Sequence, residues 1–302
     1  MYQEDSEWDD IIPLPQDDGE LPLSQIAYTE EYAEAMAYLR AIMAKDECSE
    51  RALKITKHIT EMNPAHYTVW LYRAKVVFAL NADIRSEIKF LNDKALRHEK
   101  NYQIWHHRQM MMDKLGDPTG ETEFISQMFE KDSKNYHVWS YRQWLVKRFD
   151  IWDAGELEYV EKLLEKDIRN NSAWNHRFFV LFGRGNNPSQ EIIDREIKFT
   201  EEAIFLAPQN PSPWNYIRGV LSRVNMPLST FEAVCKHYAP TGNPSRITSS
   251  HALDMLADIQ ASRPDTREEA EVALQLLAEK FDPIRTNYWN HRKVLLQKAG
   301  TA

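Results

Sequence analysis

A Trp followed three residues later by an Arg recurs along this chain, and the recurrence limits its fold more than any other feature. The pairs are Trp70/Arg73, Trp105/Arg108, Trp139/Arg142, Trp174/Arg177 and Trp289/Arg292, and a copy with one extra residue, Ile217, runs from Trp214 to Arg218. Successive Trp residues lie 35, 34, 35, 40 and 75 positions apart. A fixed period in this range marks stacked supersecondary units. The last gap is about two periods, so a degenerate copy is expected near His251-Ala252-Leu253-Asp254, giving about seven copies in all.

Other columns keep the same register. Two residues after each Trp stands a ring with a polar atom (Tyr72, His107, Tyr141, His176, Tyr216, His291), and Asn stands four before it at Asn101, Asn135, Asn170 and Asn210. Each copy reads as two helices. Ile88, Leu91 and Ala95 follow the i, i+3, i+7 rule for one helix face, and Asn101 suits the N-cap of the next helix, which carries Trp105, Arg108 and Met112. Similar pairs are expected over residues 28–44 with 50–62, 121–131 with 136–149, and 156–168 with 172–183. One hairpin cannot cover its own apolar face, so neighbours must stack, with the Trp as the wedge. The Arg shares its helix face and therefore needs acidic or carbonyl partners in the adjacent layer. Tetratricopeptide repeats have a similar period, but they carry Leu-Gly where this chain carries Arg.

Composition agrees with an all-α protein: of 302 residues only 9 are Gly, and no window approaches 18 consecutive apolar residues, so no membrane span is expected. Cys48 and Cys235 form no CxxC cluster and read as free cytosolic thiols. The net charge of −9 is concentrated in residues 1–20, which hold eight acidic residues and no Lys or Arg. The remainder has 37 basic against 38 acidic residues, which argues against nucleic acid as the main partner. The expected organisation is an acidic, disordered tail over 1–24 and a helical-hairpin solenoid over 25–302.

Lys100-Asn101-Tyr102-Gln103-Ile104-Trp105-His106-His107-Arg108, Lys134-Asn135-Tyr136-His137-Val138-Trp139, Arg169-Asn170-Asn171-Ser172-Ala173-Trp174-Asn175 and Trp214-Asn215-Tyr216 resemble the repeats of protein prenyltransferase α subunits. Glu50-Arg51-Ala52-Leu53 and Asn63-Pro64-Ala65 continue the likeness, which covers residues 28–295. Within that family the chain is most similar to the branch common to farnesyltransferase and geranylgeranyltransferase type I. The resemblance implies an α-α superhelix, a right-handed crescent around a β subunit in an obligate cytoplasmic heterodimer. It implies that the β subunit holds Zn2+, that the complex uses Mg2+, and that no metal is bound by this chain. The implied reaction moves a farnesyl or geranylgeranyl group from its diphosphate to the cysteine of C-terminal CaaX motifs, as on Ras-type GTPases. Two alternatives stay open: the α subunit of Rab geranylgeranyltransferase, and a non-enzymatic peptide-binding scaffold.

One stripe of the repeat suits this chemistry. Lys100, Lys134 and Arg169 stand five residues before their Trp, and Tyr67, Tyr102 and Tyr136 three before. Cations, phenols and free helix N-terminal amides at one edge suit an anion such as diphosphate. The resemblance gives Lys100 the catalytic role of stabilising charge on the departing diphosphate, with Tyr136 beside it. It gives Tyr136 and His137 hydrogen bonds to the diphosphate, with Tyr102 and Asn135 nearby. Gln103 is expected to hold the peptide's terminal carboxylate and Tyr67 to wall the pocket for its last residue. His106 and His107 are adjacent on a helix, point different ways and do not make a metal pair.

Overall fold

The computed structural model describes residues 2–185 and 188–300, apart from the side chains of residues 299 and 300. Met1 of the expected tail and residues 301–302 of the expected solenoid lie outside the described residues. Contacts group into two compact units, Met1–Ile151 and Trp152–Ala302. A repeat array makes only neighbour contacts, so such a division needs no change of fold.

The first unit holds α1 (Glu30–Ala44), α2 (Glu50–Met62), α3 (Tyr67–Ala79), α4 (Ile84–Arg97), α5 (Tyr102–Leu115), α6 (Glu121–Lys131) and α7 (Tyr136–Phe149). The second holds α8 (Glu156–Lys166), α9 (Asn171–Phe182), α10 (Gln190–Leu206), α11 (Pro211–Arg223), α12 (Glu232–Tyr238), α13 (Ser250–Ala261), α14 (Arg267–Leu276) and α15 (Thr286–Gly300). No strand occurs among the described residues, and no helix there is long and apolar enough to cross a membrane. The fold is an all-α helical repeat. Each Trp lies on the second helix of a hairpin, and α1 precedes the first of these.

Within each unit a buried carboxylate ties neighbouring hairpins together. In the first unit Glu87 on α4 accepts two hydrogen bonds from Arg73 on α3, at 2.7 and 2.6 Å, and a third from His107 on α5 at 2.9 Å. Glu121 on α6 does the same for Arg108 on α5, at 2.8 and 2.6 Å, and for the Tyr141 hydroxyl on α7 at 2.5 Å. In the second unit Glu196 joins Arg177 on α9 to Tyr216 on α11. All three Arg side chains are at most 5% exposed. The polar-ring column is therefore the third arm of an Arg–Glu–ring node, and the acidic partner required by the buried Arg is found. Each Glu sits 18 residues before the next Trp. A Phe three residues after the Glu lies under the guanidinium, Phe124 at 4.0 Å and Phe199 at 3.9 Å. The first copy has Ala52 at the Glu position, and there Tyr72 donates to the Glu47 carbonyl instead.

A second link joins the turns. The carbonyl six residues before Trp70, Trp105 and Trp174 accepts that Trp's indole N–H, and it also accepts the side-chain amide of the next copy's capping Asn. Pro64 O receives Trp70 Nε1 at 2.8 Å and Asn101 Nδ2 at 2.9 Å. Glu99 O receives Trp105 at 3.2 Å and Asn135 at 3.1 Å, and Ile168 O receives Trp174 and Asn210, both at 2.8 Å. Pro208 O receives Trp214 at 2.9 Å and Ser249 Oγ at 2.6 Å. Ser249 thus replaces Asn at the cap of α13, and Leu253 takes the Trp place in the expected degenerate copy. Cys235 stands where the Glu would be, and burial pushes its thiol up to about 12. Without that Glu, Arg218 turns to Asp254 and Asp258, which Arg292 also engages.

Disorder over 1–24 does not describe residues 2–11. Tyr2, Trp8 and Ile11 are buried in the core formed with α1 and α2. The acidic residues around them answer cations on α2: Asp10 makes a bidentate pair with Arg51, and Glu7 binds Lys54. The cluster of acid is thus a charge complement to α2 with three apolar anchors between.

Two predictions follow from the nodes. Glu121→Ala leaves Arg108 and Tyr141 buried without their acceptor, and thermal or urea unfolding is expected to show a loss of about 3–5 kcal/mol. Burial alone would raise the Glu87 carboxyl, but hydrogen bonds from His107 and Arg73 outweigh it and hold the group at about 2 against an ordinary 4.5. A depressed carboxylate stabilises the fold fully above its unfolded value and loses that contribution as pH falls from about 4.5 toward 2. Unfolding midpoints measured across that window are expected to fall less steeply with acid in Glu87→Gln than in the unaltered chain.

Candidate functional site

The stripe singled out in the sequence lies where the second helices of the first unit begin. Tyr67, Tyr102 and Tyr136 are the first residues of α3, α5 and α7. They are 66%, 67% and 69% exposed, so they do not cement one hairpin to the next. The Trp column does that, with Trp70, Trp105 and Trp139 all at 6% exposure or less. A row of unburied phenols at successive helix starts is available to something outside the chain.

Three of the expected side chains meet, and the Lys100 main chain joins them through His137. The ring centroids of Tyr102 and His137 are 4.3 Å apart and edge to face, and those of Tyr136 and His137 are 5.6 Å apart. Burial lowers the His137 pKa, opposed by a hydrogen bond to the Lys100 backbone. The Lys100 side chain is 78% exposed, with its ammonium 4.0 Å from the Asp132 carboxylate. Lys100, Tyr102, Tyr136 and His137 therefore form one cluster at the N-termini of α5 and α7. Asn101 caps α5 through Ile104 N at 3.1 Å, and Asn135 caps α7 through His137 N at 2.9 Å and Val138 N at 3.4 Å. Lys134 stands at the same column on the turn before α7 and is exposed, whereas Arg169 belongs to the second unit.

Tyr67 and Gln103 join through a neighbouring hollow. Together with Tyr102 they line a cavity of about 400 Å3 between α3 and α5, closed by Leu71, His106 and Met110. Tyr102 belongs to both the cluster and the cavity. The sequence reading weighs His106 only as a metal ligand and passes over Met110, although Tyr102, His106 and Met110 follow an i, i+4, i+8 step along one face of α5. His107 also borders the cavity, but it is buried and its Nε2 is spent on Glu87.

Asn135 differs from its neighbours. Its side chain is 3% exposed, with the carbonyl end capping α7 and the amide end on Glu99 O. That same carbonyl takes the Trp105 indole. The peptide unit joining Glu99 to Lys100 is thus pinned by hydrogen bonds from two successive copies, and Asn135 supports Lys100 from below. Among the described residues no group of three or more His, Cys, Asp or Glu is placed to hold a metal ion.

The chain matches the model described as protein prenyltransferase alpha subunit repeat five times, over residues 49–80, 84–115, 118–149, 153–183 and 193–224. These are the hairpins α2–α3 to α10–α11. The two later hairpins fall outside the match, and in the first of them Cys235 and Leu253 replace node and wedge. The protein named farnesyltransferase/geranylgeranyltransferase type-1 subunit alpha is 39% identical in Candida albicans over 299 residues, 95% of this chain and 97% of that one. Its namesake in Solanum lycopersicum is 39% identical over 98% of this chain and 91% of that one. A solved structure titled Candida albicans protein geranylgeranyltransferase-I complexed with GGPP contains a chain that superposes with a TM-score of 0.90 at 37% identity, covering 97% of this chain and all of that one. With the Trp–Arg–Glu architecture running through the matched hairpins, the chain belongs to the protein prenyltransferase α-subunit repeat family.

Proposed function

We propose that this chain is the α subunit of a cytoplasmic heterodimeric farnesyltransferase and geranylgeranyltransferase type I, and that its α5–α7 rim stabilises the departing diphosphate. The observation that carries the reading is the meeting of Tyr102, Tyr136 and His137 at two adjacent helix N-termini, with the Lys100 main chain bonded to His137, in a chain whose relatives bear the type-1 name. Those names favour the CaaX branch over the Rab-type enzyme.

In the proposed reaction the cysteine sulfur of a CaaX protein attacks C1 of the isoprenoid. The S–C bond forms as the C1–O bond breaks, the diphosphate leaves with the bonding electrons, and the thiol proton passes to solvent water. Negative charge grows on the bridging oxygen. The exposed Lys100 ammonium, held on a peptide unit that cannot swing, meets that charge as it develops, which lowers the barrier more than it tightens ground-state binding. Tyr136 and His137 donate to the phosphate oxygens, with Tyr102 bracing His137 edge-on. Asn135 acts through Lys100. The cavity beside Tyr102 takes the peptide end, with Gln103 donating to its terminal carboxylate and Tyr67 against its last side chain. Zinc and magnesium, in this reading, belong to the β subunit and to the diphosphate.

Reconstitution with a type-1 β subunit separates the two sets of residues. Lys100→Ala is expected to lower kcat about 100-fold while the heterodimer stays intact. Gln103→Ala is expected to raise the KM for a CaaX peptide with kcat nearly unchanged. An unaltered kcat in Lys100→Ala removes that residue from the reaction.

A further inference from the structure

We propose that His106 is a charge-selecting residue for the peptide end: protonated, it joins Gln103 in holding the terminal carboxylate, so the preference for a free C-terminus over an amidated one grows as pH falls. The inference rests on the placing of the peptide end between α3 and α5 proposed above, and adds to that site a residue and a pH dependence.

A carboxylate entering an apolar hollow needs a counter-charge, because an unpaired ion is costly to desolvate. The lining holds no Lys or Arg. Two of its polar groups are already spent. The Trp70 indole N–H goes to Pro64 O at 2.8 Å, and His107 Nε2 goes to Glu87 at 2.9 Å. His107 Nδ1 is buried without a hydrogen-bond partner, as in a neutral ring that donates through Nε2. Tyr67 and Tyr102 are phenols and Gln103 is a neutral amide. His106 is left, an exposed imidazole with no hydrogen bond among the described residues. Within that lining it alone can take up a positive charge near neutral pH without giving up a bond.

The register on α5 suits a two-point seat. Gln103 and His106 are three residues apart, and such residues are neighbours on a helix surface, with Cβ atoms about 5–6 Å apart. The amide of Gln103 and an N–H of the imidazolium then donate to the two oxygens of one carboxylate. Tyr102 and Met110 stand one turn to either side of His106 and line the same cavity. With a peptide in place they shield the pair from water, which strengthens it.

Few titratable groups face His106 from the elements packed around it. α3 offers Tyr67, and α5 itself offers Tyr102 and His107. Burial lowers the His107 pKa, so that ring adds no charge. α4 places Glu87 behind His107, where Arg73 and His107 already bond it. Among the described residues α7 contributes none to the lining, and its His137 ring lies against Tyr102. The charge on His106 is present at low pH and lost as pH rises, so the preference for a free carboxylate follows the same direction.

The test uses the full chain assembled with a type-1 β subunit. Two competitor peptides, alike except that one ends in a carboxylate and the other in an amide, are titrated against turnover of a CaaX substrate at about pH 6 and about pH 8. The ratio of their Ki values, amide over acid, cancels what the two share, including the cysteine thiol. In the unaltered chain the ratio is expected to be about tenfold larger at the lower pH, as a charged donor replaces a neutral one. In His106→Gln, which keeps a neutral donor at an exposed position, the ratio is expected to be low and the same at both. A flat ratio in the unaltered chain overturns the proposal, and so does a pH dependence that survives in His106→Gln. Gln103→Ala tells the two failures apart. If it weakens the acid peptide while His106→Gln leaves the ratio untouched, only this inference falls. If Gln103→Ala also leaves the acid peptide's Ki unchanged, the peptide end lies elsewhere and the reading of the cavity falls with it.

Discussion

The structure depends on carboxylates buried where an ordinary helix would place an apolar residue. Each of Glu87, Glu121 and Glu196 takes a forked guanidinium from the preceding hairpin and a ring donor from its own, so three consecutive helices share one charge. Such a node is not the cheapest way to fill space, because desolvating both ions offsets much of their attraction. Its value is geometric. A bidentate Arg–carboxylate pair fixes distance and angle together, so each helix has one seat against its neighbour. An apolar contact would tolerate sliding.

The rim inherits that precision through the doubled carbonyl. Glu99 O accepts from Trp105, which is wedged in the core, and from Asn135, which caps the next helix. The next residue is Lys100. A lysine on a turn is ordinarily a mobile, hydrated charge, but here its main chain is held from two copies while its side chain remains in solvent. In the proposed reaction the same bonds that stack the hairpins pre-position the catalytic cation. The equivalent carbonyls at Pro64, Ile168 and Pro208 carry the same paired bonds without a comparable cluster around them. The scaffold is therefore general and the chemistry local.

Much of this was legible in the sequence. Trp, Arg, the polar ring and the Asn cap repeat by identity, and the degenerate copy was placed from the gap alone. The Glu column is just as periodic, yet it went unread. It sits on amphipathic helices rich in other acids, such as Glu158, Glu161 and Glu165 on α8, where a Glu reads as solvated. Only the charge demand of the buried Arg points to it. The N-terminal segment misled for the opposite reason. Its charge was counted without its partners, and Arg51 and Lys54 are forty residues or more away in sequence. Asn135 was placed at the site by column, but the direction of its amide depends on a carbonyl of the preceding copy, which no local pattern reveals. His106 and Met110 needed the cavity to be seen as one.

A double-mutant cycle on kcat in the reconstituted heterodimer, using Lys100→Ala and Asn135→Ala, measures whether the pinned peptide unit serves the lysine. Asn135→Ala is expected to lower kcat strongly when Lys100 is present and to have almost no further effect in the Lys100→Ala background. Two losses that simply multiply would mean that Asn135 and Lys100 act independently, and the link from hairpin stacking to catalysis would be broken.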